Sequence, residues 1–228
     1  MSNEIIAYHG WGFDRTCWQG WAALFEQAGI GFGAVDRGYF GEALEGGGSK
    51  IIFAHSYGLH LCPIAQLQQA ELLVLFSSFA TFHLQKESAR RRSQQMLQQM
   101  LIQLQNDPLR VLDNFKAKCE TPKGEAPNRG AALNPPLSNS AQWNLDLLVQ
   151  DLKDLDECVL NLDHLKRLPQ IVLFHGSDDR IVPVQKGQEL ANALSSNSQY
   201  IELAGAGHAL PFTHLEQCWS VLRRILAL

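Results

Sequence analysis

The stretch Ile51-Ile52-Phe53-Ala54-His55-Ser56-Tyr57-Gly58 decides how this chain is read. An apolar, β-rich run ends in a serine flanked at two positions by small residues, Ala54 and Gly58, and a helix-compatible segment over 59–69 follows. This is the layout of a nucleophile elbow, a sharp strand-to-helix turn that lifts a Ser hydroxyl above the end of a sheet. The turn is tight, so the residues two before and two after the serine must be small. Glycine is usual at the first of these, and Ala54 departs mildly from that pattern. A small-x-Ser-x-Gly pattern arises often by chance, so the rest of the chain has to supply partners.

Outward from this stretch, residues 4–8, 31–35, 50–54 and 72–76 read as strands separated by helical or loop segments. Their near-continuous apolar character fits a parallel sheet buried on both faces, and the alternation is the α/β pattern. Asp14 is placed to cap a helix carrying Trp18, Trp21, Leu24 and Phe25 at helical spacing, which makes both tryptophans packing residues. From residue 83 to 168 no strand pattern is found. A helix is expected over 87–105, with Met96, Met100 and Leu104 four apart. A second restarts with Asp107 as N-cap and Pro108 in the first turn, with Val111, Leu112 and Phe115 on its apolar face. Residues 121–140 read as a loop and 143–155 as a third helix. Strand patterns return at 170–174 and 199–203, with helices at 184–194 and 215–226. The expected organisation is an α/β core of residues 1–82 and 169–228, interrupted by a helical insertion of residues 83–168 placed where a lid would sit.

The 228 residues suffice for one sizeable domain, and 46% hydrophobic with 18% charged residues is ordinary for a soluble protein. No apolar run approaches the ~20 residues a bilayer demands. The N-terminus has no basic region ahead of an apolar one, so no signal peptide is expected. Five scattered cysteines without CxxC spacing read as reduced thiols of a cytoplasmic protein rather than disulfides or a zinc site. The net charge of −4 argues against general nucleic-acid binding.

A serine hydroxyl is a poor nucleophile and needs a general base, usually His, with a group that orients it. Two later segments offer these in the order serine, acid, histidine: His175-Gly176-Ser177-Asp178-Asp179-Arg180-Ile181-Val182-Pro183 and Gly205-Ala206-Gly207-His208-Ala209. With His9-Gly10-Trp11-Gly12 near the start, these motifs make the chain resemble the α/β-hydrolases over nearly its whole length. The resemblance implies a mostly parallel central sheet with helices on both faces and an inserted helical lid. It selects Asp179 over Asp178 as the acid, with Ser56 as nucleophile and His208 as base. It implies an oxyanion hole made by the backbone N–H groups of Trp11 and Tyr57, and neither metal nor organic cofactor. His55 adjoins the nucleophile, but neighbours in an elbow point elsewhere. His9 and His175 are expected to bond loop backbone, Cys62 to be core, and His60, His83, His164 and His214 to be structural or exposed.

Within that superfamily the chain is similar to the pimeloyl-[acyl-carrier protein] methyl ester esterases of biotin synthesis. The features are the Trp in His9-Gly10-Trp11-Gly12, Ser77-Ser78 followed by Phe82, the run His208-Ala209-Leu210-Pro211-Phe212-Thr213-His214, and a Gln-rich helix followed by Arg110 and Phe115. Asn114 stands where that group often has a second Arg, and the chain begins at the first central strand. The resemblance implies an acyl pocket lined by Phe115, Lys116, Ala117, Lys118 and Cys119, beside Trp11, Ser56, Tyr57 and His208. Residues 86–129 carry nine basic side chains against five acidic ones. Such a segment suits an acidic partner, and Arg90, Arg91 and Arg110 are the candidate docking residues for an acyl carrier protein. The expected substrate is a carrier-bound or small ester, handled by a monomer without nucleic acid or membrane. The alternatives are a general carboxylesterase, an acyl thioesterase, a menaquinone-pathway type lyase, or a non-catalytic binding protein on the same scaffold.

Overall fold

A computed structural model of the chain describes residues 4–120, 143–194 and 197–228. Six strands, β1 (Ile5–Tyr8), β2 (Phe32–Ala34), β3 (Ile51–His55), β4 (Leu72–Phe76), β5 (Gln170–Gly176) and β6 (Ser198–Leu203), form one sheet in the order β2-β1-β3-β4-β5-β6. Every pairing is parallel. The side-chain period of two divides each strand between two cores. Ile5, Ala7, Phe53, Val74, Phe76, Val172 and Phe174 face one side, under α1 (Gln19–Gln27), α8 (Leu210–Thr213) and α9 (Leu215–Ile225). Ile6, Tyr8, Ile52, Ala54, Leu73, Leu75, Ile171 and Leu173 face the other, under α2 (Gly58–Leu61), α3 (Ile64–Leu67) and α7 (Val184–Ala193).

Because all strands run the same way, the loops after them gather at one edge. The chain passes from β1 outward to β2, then returns to β3 on the far side of β1. This topological switch point parts the loops after β1 and β3 and leaves a crevice at the strand C-termini. Over that edge lie three helices inserted between β4 and β5: α4 (Glu87–Asn106), α5 (Pro108–Glu120) and α6 (Leu145–Glu157). Asp107 Oδ1 accepts the Arg110 N–H at 3.1 Å, and Asn144 caps α6 by accepting the Leu147 N–H at 3.1 Å. Leu97, Leu104, Val111, Leu112, Leu148, Leu152 and Leu155 bury the inner faces of these helices against Trp11, Tyr39, Tyr57, Phe79 and Val182.

The structure corrects three local expectations. The helix over 59–69 is two short ones, because Pro63 forces the preceding Cys62 into an extended conformation (ψ 124°). Asp14 caps a 3₁₀ turn, Arg15–Trp18, that leads into α1, accepting the Thr16 N–H at 2.8 Å. Met96 is 53% exposed, and Leu97 takes its place in the buried stripe of α4 beside the expected Leu104, with Met100 partly buried against them. The loop expected over 121–140 lies outside the described residues, as do Lys123, Glu125 and Arg129 of the basic segment. No described helix is long and apolar enough to cross a membrane.

Candidate active site

β3 ends at His55, and Ser56 follows with φ 54°. That left-handed conformation costs an L-residue roughly 1–2 kcal/mol, so the surroundings must enforce it. The Ser56 N–H donates to the Phe76 carbonyl of β4 at 2.8 Å. Gly58 brings α2 hard against β1: a Cβ there would lie 2.5 Å from the Tyr8 carbonyl oxygen and 2.7 Å from that of His9. Ala54 is fully buried in register with Tyr8 on one side and Leu75 on the other.

The loops after β5 and β6 deliver the acid and the histidine. His208 Nδ1 lies 2.7 Å from Asp179 Oδ2, and His208 Nε2 lies 3.0 Å from Ser56 Oγ. A carboxylate can only accept, so the neutral imidazole carries its proton on Nδ1 and presents Nε2 as acceptor to the Ser56 hydroxyl. The other Asp179 oxygen, Oδ1, accepts the N–H groups of Ile181 and Val182, both at 2.8 Å. Burial by itself would raise the Asp179 carboxyl. The positive charge His208 can carry, the close approach of the His175 ring and the His208 hydrogen bond outweigh it and hold the carboxyl well below the usual carboxylate range. Asp178 instead meets Ser177 Oγ at 3.1 Å.

Two further buried histidines brace this arrangement. His175 Nε2–H donates to the Val182 carbonyl at 3.0 Å and lies 3.4 Å from Asp179 Oδ2. Gly187 lets α7 close on that ring, since a Cβ there would lie 2.3 Å from His175 Nδ1. His55 Nε2–H donates to the backbone carbonyl of His208 at 3.1 Å. Burial, reinforced by the neighbouring His208, pushes the His55 imidazole well below its usual pKa, so it stays neutral. His55 thus holds the loop that carries His208 and gives Ser56 no hydrogen bond. From the insertion, the Cys119 carbonyl accepts the Ala209 N–H at 2.9 Å.

The Trp11 and Tyr57 backbone N–H groups donate to no protein acceptor among the described residues. The Trp11 side chain is buried: its Nε1–H donates to the Leu148 carbonyl of α6 at 2.8 Å, and its ring meets Phe115 edge-on at 5.0 Å. Phe115 also lies on Gly12, where a Cβ would come within 3.3 Å of its ring.

The other candidates are dispersed. Lys116 places its ammonium 5.5 Å from the centre of the Phe40 ring, and burial lowers its pKa. Ala117 is half-buried, Lys118 is exposed, and Cys119 is buried with its carbonyl on the His208 loop. Five consecutive helical residues point all round the axis, so of these Phe115 meets the Trp11 loop. Arg90 and Arg91 are exposed near the start of α4, Arg91 paired with Glu87, whereas Arg110 sits in the first turn of α5 beyond the other end of α4. At 1.5 Å per residue the 20 residues of α4 span ~30 Å, so the three do not make one patch. α6, packed against α4, is acidic, with Asp146, Asp151, Asp154, Asp156 and Glu157 against Lys153.

His83, expected to be structural or exposed, sits between Ser93 Oγ (2.6 Å) and Asp156 Oδ1 (2.9 Å) and ties the entry of the insertion to α6. The sequence reading also missed Arg37 and Asp151. One signal was available: an acid on the apolar stripe of α6, between Leu148 and Leu152. Among the described residues no three His, Cys, Asp or Glu side chains are grouped to hold a metal ion.

No family model matches the sequence, and no curated protein does. Solved structures do match. An esterase from Exiguobacterium antarcticum superposes with a TM-score of 0.76 at 13% identity, covering 100% of this chain and 92% of that one. A bromoperoxidase from Bacillus anthracis gives 0.72 at 15% identity, with the same coverage of 100% and 92%. A thermophilic esterase from Thermogutta terrifontis gives 0.73 at 14%, covering 100% and 90%. These likenesses, with the parallel six-stranded sheet, establish the α/β-hydrolase fold.

Proposed function

We propose that the chain is a serine hydrolase of carboxylic esters. The observation that carries this reading is the continuous Ser56–His208–Asp179 hydrogen-bond chain at the mouth of the sheet, with the serine held in a strained turn. Ser56 Oγ attacks the ester carbonyl carbon as its proton passes to His208 Nε2. Asp179 stays ionised and stabilises the imidazolium. The tetrahedral oxyanion is met by the N–H groups of Trp11 and Tyr57, a contribution of roughly 3 kcal/mol per donor in such sites. Collapse expels the alcohol, which takes the proton from His208. Water, deprotonated by His208, then attacks the acyl-enzyme and releases the acid and Ser56. The esterases among the similar structures support this class of reaction.

The finer reading is cleavage of the methyl ester of a pimeloyl group borne on an acyl carrier protein. It is supported by the sequence resemblance and by the exposed basic run Lys86, Arg90, Arg91 and Arg92 on the first turns of α4, which suits an acidic carrier. The test is methanol release from pimeloyl-carrier-protein methyl ester, followed by mass, beside Ser56→Ala. Cleavage abolished by the substitution supports both levels. Retained hydrolysis of p-nitrophenyl butyrate without methanol release keeps the hydrolase and rejects the carrier substrate. Failure of a fluorophosphonate probe to label Ser56 rejects the hydrolase.

A further inference from the structure

We infer that Asp151, in the middle of α6, is a positioning residue for the oxyanion loop, so that the insertion is part of the machinery that stabilises the transition state. The inference rests on the serine-hydrolase reading. Asp151 is 1% exposed on an otherwise apolar stripe of α6 formed by Leu148, Leu152 and Leu155. A carboxylate is kept in such a place only with several partners. Its partners come from the loop after β2: Arg37 Nε and a terminal guanidinium N–H donate to its two oxygens, both at 2.8 Å, and the Tyr39 hydroxyl donates at 2.6 Å.

From Arg37 the connection runs to the oxyanion loop. The Arg37 backbone N–H donates to His9 Nε2 at 3.0 Å. That nitrogen is therefore unprotonated, and the ring proton resides on Nδ1, which donates to the Gly10 carbonyl at 2.9 Å. The Gly10 carbonyl belongs to the same peptide unit as the Trp11 N–H. A second connection starts one helical turn before Asp151, at Leu148, whose carbonyl holds the Trp11 indole N–H. α6 thus grips the peptide that carries one oxyanion donor from both sides, through His9 and through the Trp11 side chain.

None of these bonds touches the triad. Ser56, His208 and Asp179 are held by Phe76, His55, Cys119, Ile181, Val182 and His175. Releasing the α6 grip should therefore leave proton transfer intact and displace a donor. A displacement of about 1 Å can cost up to ~100-fold in rate.

The experiment compares Asp151→Asn, Trp11→Phe and the double variant with the unaltered protein, using p-nitrophenyl butyrate and an alkyl trifluoromethyl ketone that forms an oxyanionic adduct with Ser56. Each single variant is expected to lose about 10- to 100-fold in kcat with KM within ~2-fold, and the ketone Ki should rise by the same factor. The acid limb of the pH–rate profile should not move. The double variant should lose little more than the worse single, because both substitutions release one peptide. Unchanged kcat, a KM-only effect, a shifted acid limb or additive losses overturn the inference while the reading stands. Should Asp151→Asn not fold, Tyr39→Phe, which removes one bond of three, takes its place with a smaller loss of the same signature. An unaltered protein that neither turns over the ester nor reacts at Ser56 overturns the reading, and the inference with it.

Discussion

On the proposed serine-hydrolase mechanism, replacing Asp179 by asparagine isolates what that carboxylate does. The substitution is nearly isosteric, and the geometry dictates how the amide must sit. The Oδ1 site faces two backbone donors, Ile181 N–H and Val182 N–H at 2.8 Å, so only the amide oxygen fits there. The amide nitrogen is driven to the Oδ2 site, 2.7 Å from His208 Nδ1, where it donates. His208 must then accept on Nδ1 and carry its proton on Nε2, the nitrogen that should take the proton of Ser56. The reacting fraction is limited to the minor tautomer, and the imidazolium loses its counter-charge. In serine proteases the equivalent change costs ~10⁴-fold in kcat, which is about 5.5 kcal/mol of transition-state stabilisation. The assay is kcat for p-nitrophenyl butyrate near neutral pH, with the thermal midpoint measured alongside. Asp178→Asn is the control: its carboxylate bonds Ser177 and does not reach His208, so activity should stay within ~2-fold. An Asp179→Asn variant within tenfold of the unaltered protein, or a larger loss in the Asp178 variant, would refute the tautomer argument.

Gly58→Ala would drive a Cβ to within 2.7 Å of two main-chain oxygens, of Tyr8 at the end of β1 and of His9 just after it, that cannot move as a side-chain tip does. Overpacking of this kind costs about 1–3 kcal/mol, so a fall of roughly 2–12 °C in thermal midpoint is expected for a chain of this size; an unchanged midpoint would refute the close approach. His60 is half-buried, its Nε2–H donating to the Phe79 carbonyl at 3.0 Å, and burial lowers its pKa from 6.5 to about 4. The unfolded chain therefore binds this proton first on acidification. The stability contributed by the neutral ring is complete above pH 6.5 and falls toward pH 4 by an amount on the order of 3 kcal/mol. His60→Gln retains an N–H donor without the titration, so its stability should change less over that window when followed by denaturant unfolding. An equal slope in both proteins would assign the acid sensitivity elsewhere.

Much of the core was legible because its signals are local. The apolar runs of β1, β3 and β4 record burial on both faces of a parallel sheet, and Asp107-Pro108 marks the start of α5 through the first turn's unpaired N–H groups. The break at Pro63 was equally local and was passed over because the flanking residues favour helix. The stripe of α4 was misjudged by one residue, since Met96 and Leu97 are both apolar and only packing against α5 and α6 chooses between them.

The sequence by itself determined the α/β alternation, the elbow around Ser56, and the order in which Asp179 and His208 follow their strands. Those features depend on backbone geometry and on side-chain burial a few residues apart. Only the tertiary structure decided that His55 holds the His208 carbonyl, and that Asp151 and Leu148 reach the loops after β2 and β1 across more than a hundred residues. A hydrogen bond between distant segments leaves no periodicity in either one. Its energy depends on where the sheet's crossing order places them, and that order is fixed when the two cores are packed.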